Sequence, residues 1–354
     1  MISLEEAQSR VLALADPVPM EIIPLREAHG RVLAKPLRAM RDQPPFDASA
    51  MDGYAVRKTD VGPRAQFDVI GEAAAGHGFD QTVGTGQAVR IFTGAPMPAG
   101  TDRVVIQEDV SRTGSRITLN ADLDTASYVR ARGADFHSGM AFSAPRRLTS
   151  SDLALLAAMN IATVSVACQP RVAILATGDE LVMPGEDPNA DQIIASNIFG
   201  LKAQVETVGG IAQLLPIARD TEASLNAAFE LADGADLLVS IGGASVGDPD
   251  LVGQVAGERG IDRAFYRIAM RPGKPLMAGR LGSLRLLGLP GNPVSALVCG
   301  EVFLKPMLRA MQGLPDPMPA FHTAPLAAPL SANGPRAHFM RAKLTSGTLT
   351  AIES

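Results

Sequence analysis

The residues best suited to chemistry lie in one stretch of the chain, where a short apolar run ends in a loop of glycine, serine and aspartate. The run Leu237–Ile241 has the composition of a strand buried on both faces, and glycines follow it at once. Because glycine has no side chain, an anion could approach the N–H groups of this loop closely, and the Ser245 hydroxyl adds a donor. Asp248 and Asp250 could hold a divalent cation beside a phosphate. The stretch predicts a site for a phosphorylated ligand and a metal, built on Gly242, Gly243 and Gly247.

Two further groups of charged residues occur in the same half of the chain. Glu180 and Asp220 offer carboxylate oxygens of the kind that Mg²⁺ binds, whereas Arg271 and Lys274 suit phosphates or another oxyanion. A rim of side chains that are merely exposed to solvent would also be acidic, so composition alone does not establish a site. The convergence of carboxylates and cations from separate loops favours a binding cleft over such a rim.

These loops need a scaffold that brings distant strand ends together, and residues 171–295 have the pattern of one. Apolar runs alternate there with helical patterns, which is typical of βαβ units on a parallel sheet. The predicted strands that run into polar loops with glycine are 172–176, 237–241 and 284–289. The predicted helices are 196–208, 221–232 and 294–311. In an open parallel sheet such loops gather along the carboxyl edge, where ligands bind.

The first half of the chain consists of short strand candidates between turn signals. Ser3 and Glu6 form a capping-box pattern that predicts a first helix of about three turns, and a second helix is predicted over 150–159. The spacing of the strand candidates suggests a small β-barrel or sandwich. These candidates are 67–70, 88–92, 103–107 and 116–119.

Three places in this half carry residue types that could take part in chemistry. Each also has a purely structural explanation. Asp52 precedes a glycine in a turn pair, which predicts an exposed, ionised carboxylate, and residue chemistry alone favours a hairpin with a solvated Asp. Thr93 follows a predicted strand, where threonine is usually a turn former. Arg130, Arg132 and Asp135 cluster around a glycine, and such arginines are usually solvated, with anion recognition as the minority alternative.

Composition limits the class of protein. The chain has 354 residues, which exceeds one ordinary core and predicts roughly two to four domains. A net charge of −5 without a basic block argues against a nucleic-acid surface. Cys168 and Cys299 are too few for a zinc site and predict buried thiols in a reducing cytoplasm. The sequence shows no signal-peptide pattern and no apolar stretch long enough to span a membrane.

The loop from Gly243 to Gly247 also fits the Gly-x-Ser-x-Gly elbow of serine hydrolases. That pattern requires a helix directly after the serine and a later Asp and His. Pro249 follows the loop closely, and the downstream histidines are His322 and His338 in the last part of the chain. A catalytic triad is therefore not expected. Since no Gly-x-Gly-x-x-Gly or Walker sequence occurs, dinucleotide oxidoreductases and P-loop NTPases lack support.

Six motifs identify a family, because they occur in the family's order and span nearly the whole chain. They are PFDASAMDGYAV at 45–56, TGAP at 93–96, RGAD at 132–135, TGDEL at 177–181, GGASVG at 242–247 and GLPGNPVS at 288–295. The chain thereby resembles the molybdopterin molybdenumtransferases, the MoeA family that includes the gephyrin E domain.

The resemblance implies a multidomain α+β and α/β protein. Its central part would be a MoeA/MogA-like α/β molybdopterin-binding domain with a mostly parallel sheet. The implied domains are an elongated, discontinuous N-terminal domain at 1–47 and 138–168, an inserted β-rich domain at 48–137, the α/β domain at 169–313 and a shortened C-terminal β-barrel at 314–354. It also implies a cytoplasmic homodimer with an active site shared between subunits, and contact with the molybdopterin adenylyltransferase.

The reaction implied by the resemblance is the insertion of molybdate into adenylylated molybdopterin, with release of AMP and with help from Mg²⁺. The implied catalytic residues are Asp52, Thr93, Glu180, Asp220, Asp250 and Lys274. Asp220 and Asp250 would serve the metal, and Asp52 and Thr93 would come from the dimer partner. The implied ligand-binding residues are Gly242, Gly243, Ser245, Gly247, Arg271, Pro290, Gly291, Asn292, Pro293, Arg130 and Asp135.

Two positions depart from the family pattern, and one alternative function stays open. Ala134 stands where the family usually has Glu, and Arg271 replaces the commoner Lys, which keeps the charge but not its point geometry. The alternative is a molybdopterin-binding or scaffold relative without full transferase activity. A pure scaffold need not keep a set of acidic and basic site residues, and this chain has the full set: Asp52, Glu180, Asp220, Asp250 and Lys274.

Overall fold

The N-terminal part of the molecule is made of two chain segments that pair with each other. The computed structural model describes residues 1–242 and 251–352. One sheet has the strand order Met20–Pro24, Thr163–Ala167, Val32–Leu33, Arg146–Arg147, and a separate pair joins Leu37–Arg38 to Ala141–Phe142. Helix Ser150–Ala158 packs on this unit and begins at Thr149, whose side chain forms a capping box with Asp152. The exact domain limits given above stay a prediction.

The first helix, Leu4–Ala13, contacts a different part of the molecule. Its cap is the predicted one, since the Ser3 hydroxyl accepts a hydrogen bond from the Glu6 N–H at 3.1 Å. Its buried side chains, Ala7 and Val11, belong to the core of the α/β domain. Packing therefore joins the start of the chain to the α/β domain.

The β-rich part lies between the two N-terminal segments and contains one six-stranded sheet. Its strands pair in the order Arg103–Ile106, Gly53–Val56, Gln87–Ile91, Gln66–Ala73, Arg116–Leu119, Val110–Thr113. A further pair joins Ala48–Ser49 to Val129–Arg130. Alternate residues of the second strand enter two different cores, Tyr54 and Val56 in one and Ala55 in the other. The predicted strands are thus present, arranged as a sheet with an apolar core on each face.

The α/β domain has a mixed six-stranded sheet. Its strands, β1 to β6 in chain order, are Arg171–Ala176, Ile211–Leu214, Leu237–Ile241, Asp262–Arg267, Pro275–Leu281 and Leu284–Leu289. Their spatial order is β2-β1-β3-β6-β5-β4; the first four are parallel, and β5 and β4 continue the sheet in antiparallel pairing. All five residues of β3 are buried, which confirms the prediction of a strand covered on both faces.

Helices cover both faces of this sheet. Those of the α/β domain are α1, Asn197–Thr207; α2, Glu222–Leu231; α3, Leu251–Glu258; α4, Pro293–Cys299; and α5, Lys305–Met311. The predicted helix 294–311 is present, but a π-helical segment, Gly300–Leu304, joins α4 to α5. Pro306 has no N–H to donate to the Val302 carbonyl, and Gln8 Nε2 donates to that oxygen instead at 3.4 Å.

The last part of the chain pairs with the α/β domain through one short strand. Strand Ala337–His338 pairs with Met270–Arg271, and Ala342–Thr345 forms a hairpin with Thr348–Ala351. None of the described residues from 313 to 352 is buried. The segment therefore has no core of its own in the part that the structure describes. Among the described helices, none combines the length and the apolar character needed to cross a membrane.

Candidate active site

A cavity of about 1060 Å³ opens at the carboxyl edge of the parallel strands. The segments that follow β1, β3 and β6 contribute to it, as predicted from the sequence. The segment that follows β2, which was not among the predicted strands, also contributes. Seven of the predicted site residues line this cavity: Glu180, Asp220, Gly242, Pro290, Gly291, Asn292 and Pro293. The sheet thus brings together loops that are up to about a hundred residues apart in the chain.

Gly242 sits at the point where β3 ends and the cavity begins. Its φ angle is +99°, and a Cβ atom there would lie 2.7 Å from the Thr177 carbonyl oxygen, so no larger residue fits without a shift of the backbone. Its N–H donates to the Leu289 carbonyl at 3.2 Å. On its other side the backbone of Gly291 packs against it, because a Cβ on Gly291 would lie 3.6 Å from the Gly242 Cα. The ends of three strands therefore meet closely at this glycine.

The two acidic side chains come from neighbouring loops whose backbones are joined at the base. The Gly178 N–H donates to the Ala218 carbonyl at 3.1 Å. The Glu180 carboxyl group lies over Gly178, where a Cβ atom would come within 2.7 Å of the Glu180 Cδ. Asp220 follows Ala218 by two residues, and both Glu180 and Asp220 are exposed to the cavity. Two carboxylates therefore converge on one wall.

The start of α4 and the start of α1 also line the cavity. Asn292 caps α4, and its Oδ1 accepts hydrogen bonds from the N–H and the hydroxyl of Ser295 at 3.1 and 3.2 Å. Asn197 Nδ2 donates to the Gly291 carbonyl at 2.7 Å and so ties α1 to this loop. Sequence reasoning missed Ser196, Asn197 and Ser295 as cavity residues. The helix start predicted at residue 196 could have indicated the first two, because a helix that follows a parallel strand begins at the carboxyl edge of the sheet.

Arg271 and Lys274 lie near the cavity without being among the described residues that line it. Strand β5 runs antiparallel to β6 and begins at Pro275, which does line the cavity. The cations just before it are therefore at the same edge of the sheet. Arg271 is exposed, and its carbonyl accepts a hydrogen bond from the Phe339 N–H at 2.8 Å.

A second polar group lies in the β-rich domain. The Asp52 carboxylate accepts hydrogen bonds from the N–H and the hydroxyl of Thr93, both at 2.8 Å. These two bonds, with the Arg90 guanidinium as a smaller contribution, lower the pKa of Asp52 and keep it ionised as predicted. The favoured interpretation was a solvated Asp52 in a hairpin; the hairpin is wrong, whereas the carboxylate keeps partial exposure to solvent. The residue is half-buried, and the strand after it pairs on both sides within the six-stranded sheet.

The other residues predicted in this half also pair among themselves. Arg130 forms an ion pair with Asp135 at 2.7 Å, and Arg132 forms one with Asp42 at 2.5 Å. Neither these residues nor Asp52 and Thr93 line the described part of the cavity in the same chain.

Several predicted residues lie outside the described ranges 1–242 and 251–352. They are Gly243, Ser245, Gly247, Asp248 and Asp250. The predicted phosphate loop and one of the two predicted metal ligands thus stay predictions.

The described cavity residues suit Mg²⁺ held partly by a substrate. Within residues 1–242 and 251–352, no group of three or more His, Cys, Asp and Glu side chains is arranged to hold a metal. Glu180 and Asp220 nevertheless supply two carboxylates to one cavity. Mg²⁺ is usually bound by one or two carboxylates, several waters and substrate phosphates, so this donor set fits the ion.

Comparison with known proteins gives the same family over most of the chain. Residues 2–160 match the family described as MoeA N-terminal region (domain I and II), and residues 173–310 match the probable molybdopterin binding domain. Proteins named molybdopterin molybdenumtransferase are similar to this chain. The one from Nostoc sp. is 38% identical over 83% of this chain and 70% of its own, and the one from Haemophilus influenzae is 37% identical over 88% and 78%.

The fold has a close counterpart among solved structures. The molybdopterin biosynthesis MoeA protein from Pyrococcus horikoshii superposes with a TM-score of 0.85 at 30% identity, covering 100% of this chain and 90% of the other.

Proposed function

Since the chain belongs to the molybdopterin molybdenumtransferase family, we propose that it inserts molybdate into adenylylated molybdopterin and releases AMP in an Mg²⁺-dependent reaction. The family relationship makes the chain a transferase of molybdenum cofactor biosynthesis. The adenylylated substrate, the release of AMP and the dependence on Mg²⁺ are the parts of the proposal that go beyond that relationship.

The cavity at the carboxyl edge is the observation that carries the proposal. Its volume, about 1060 Å³, is at the upper end of the range of about 300–1,000 Å³ for small-molecule sites and suits a pterin joined to a nucleotide. One wall carries the carboxylates of Glu180 and Asp220, and another is lined by backbone at Gly242 and Gly291. Such a site can hold a pyrophosphate between a metal-binding wall and a backbone wall.

We assign the residues mainly to positioning. Glu180, Asp220 and Asp250 hold the metal beside the pyrophosphate, and the loop from Gly242 to Gly247 holds the pterin phosphate. When bound, Mg²⁺ neutralises charge that develops on the phosphate oxygens. Arg271 and Lys274 attract molybdate or the phosphates from the same edge of the sheet.

The β-rich domain enters the proposal through a second copy of the chain. Asp52 and Thr93 form one hydrogen-bonded unit that does not line the described cavity of its own chain. We therefore propose a homodimer in which this unit, with Arg130 and Asp135, faces the cavity of the other subunit. We also propose that the enzyme is cytoplasmic and receives its substrate from the molybdopterin adenylyltransferase.

The test is to incubate the full chain with adenylylated molybdopterin and to measure AMP by chromatography and molybdenum in the pterin fraction by mass spectrometry. The expected result is equal amounts of AMP and molybdenum-bearing pterin, both lost when molybdate or Mg²⁺ is omitted. Binding of the pterin nucleotide without AMP release, under all conditions, would contradict the proposal and favour the binding or scaffold relative.

A further inference from the structure

The two acidic loops hold each other through the residue that precedes each acid. Asp179, directly before Glu180, accepts a hydrogen bond from the Asp220 N–H at its Oδ1, at 3.3 Å. Arg219, directly before Asp220, donates from Nη1 to the carbonyl oxygens of Asp179 at 2.8 Å and Leu181 at 3.3 Å. The arginine thus bonds to the backbone on both sides of Glu180, while the aspartate bonds to the backbone of Asp220.

We propose that Asp179 and Arg219 are positioning residues that fix the separation of Glu180 and Asp220 and thereby set the affinity of the site for a divalent cation. This inference rests on the proposed function, because it takes Glu180 and Asp220 to be the residues that face the metal. Asp179 and Arg219 act on the backbone of the two acids and do not line the described part of the cavity.

We call the hydrogen bonds of Asp179 and Arg219 between the two acidic loops the brace. The electrostatics of the loops explain why it matters. Two carboxylates that share one cavity wall repel each other when no cation lies between them. The backbone bond from Gly178 to Ala218 joins the loops only at their base, two residues before each acid. The contacts of Asp179 and Arg219 act at the level of the acids and oppose that repulsion. A pair of ligands held in place before the cation arrives binds it more tightly than a pair that must be brought together.

Arg219 can be replaced without loss of apolar packing. Its side chain lines a smaller groove beside Leu181, Met183, Leu215 and Ile217. Methionine keeps the aliphatic part of that contact and removes every N–H donor. Asp179 also has a conservative replacement, because asparagine keeps an oxygen that can accept the Asp220 N–H but carries no charge.

Charge alone and the loss of these hydrogen bonds predict different effects for Arg219→Met and for Asp179→Asn, which makes these two variants decisive. Removing the positive charge of Arg219 near a cation site should strengthen cation binding if charge alone mattered, whereas loss of the brace should weaken it. Removing the negative charge of Asp179 by Asp179→Asn should weaken binding if charge alone mattered, whereas the brace is kept. Asp179→Ala removes both the charge and the acceptor.

The experiment uses the full chain with saturating adenylylated molybdopterin and measures Mn²⁺ binding by electron paramagnetic resonance. We expect Arg219→Met and Asp179→Ala to bind Mn²⁺ about 10-fold more weakly, and Asp179→Asn to stay within about 2-fold of the wild type. Asp187→Ala is the matched control, since it removes a carboxylate from the same segment without touching either contact, and it should bind as the wild type does. The unfolding temperature of each variant, measured in parallel, should change little.

Two other outcomes distinguish a failure of this inference from a failure of the proposed function. If the wild type binds Mn²⁺ and Arg219→Met binds it equally well or better, the inference is overturned while the proposed function stands. If the wild type fails to bind Mn²⁺ with the pterin nucleotide present, the metal part of the proposed function is overturned, and the inference with it.

Discussion

The Asp52 carboxylate accepts two hydrogen bonds from one residue, Thr93, which lies 41 positions later in the chain. The backbone N–H and the hydroxyl of Thr93 both reach the same oxygen, Oδ1, at 2.8 Å. This contact fixes an ionised carboxylate directly before the strand Gly53–Val56, in the domain that we propose to face the cavity of a second subunit.

Thr93→Val should raise the pKa of Asp52 toward its ordinary value, because the hydroxyl donor is lost while the N–H remains. Thr93→Ser keeps both donors and should leave the pKa near that of the wild type. The pKa is followed by NMR titration of the Asp52 carboxyl carbon. The same pKa in Thr93→Val as in the wild type would show that the hydroxyl bond has no effect in solution.

The pH dependence of stability follows from the direction of that shift. The pKa of Asp52 is lower in the folded protein than in the unfolded chain. Its stabilising contribution is therefore present above the unfolded pKa of about 3.9 and is lost as the pH falls through the folded pKa. We expect Asp52→Asn to be less stable than the wild type at pH 7, with the difference shrinking as the pH falls through the folded pKa of Asp52. Urea unfolding at several pH values measures this difference, and a difference independent of pH would contradict it.

Gly242→Ala should destabilise the α/β domain by about 2–4 kcal/mol, because the new Cβ meets both an unfavourable φ angle and the Thr177 carbonyl. Gly234 separates these two causes, since its φ is +76° and nothing lies within 4 Å of a Cβ placed there. Gly234→Ala should therefore cost only about 1 kcal/mol. Urea unfolding measures both changes. Equal costs for the two variants would show that the contact with Thr177 does not constrain Gly242.

Asn197→Ala should raise the KM for the pterin nucleotide about 5- to 10-fold with little change in kcat, because the loop Pro290–Pro293 loses its tie to α1. Asn333→Ala is the matched control, since its Nδ2 also donates to a carbonyl, that of Arg336, in the C-terminal segment. Steady-state kinetics at saturating molybdate provide both parameters. A fall in kcat at constant KM would instead place Asn197 in the chemical step.

The two cysteines should differ in reactivity. Both are free thiols, and burial raises the pKa of Cys299 to about 12. Cys168 is half-buried, and burial, followed by the Glu21 carboxylate, raises its pKa as well. At pH 8 we expect iodoacetamide to label Cys168 slowly and Cys299 only after unfolding in urea. Peptide mass spectrometry distinguishes the two, and fast labelling of native Cys299 would contradict its burial beneath Gly273.

Much of the α/β domain could be predicted because its signals are local. The buried run of β3 and the glycines after it indicate a strand and its end, and the cap at Ser3 lies where the pattern puts it. Once the strands are known to be parallel, their polar ends must meet at one edge.

The strands β2, β4 and β5 were not predicted, and for β4 the reason is physical. The pairing of β4 with β5 contains register shifts around Phe265, and charged residues occupy most of the exposed positions of β4, so no regular alternation marks it. Contacts such as Asp52 with Thr93, or Arg219 with the backbone around Glu180, could not be predicted either. They depend on side-chain positions that only the assembled fold brings within reach.

The most direct test that the carboxyl-edge cavity is the active site is the rate of AMP release by Asp220→Asn compared with Asp262→Asn. Both substitutions remove one exposed carboxylate from the same domain, but Asp262 begins β4 at the opposite edge of the sheet, away from the cavity. We predict that Asp220→Asn loses at least about 100-fold in molybdate-dependent AMP release at limiting Mg²⁺, and that Asp262→Asn matches the wild type. Equal rates for all three proteins would contradict the assignment of the carboxyl-edge cavity as the active site.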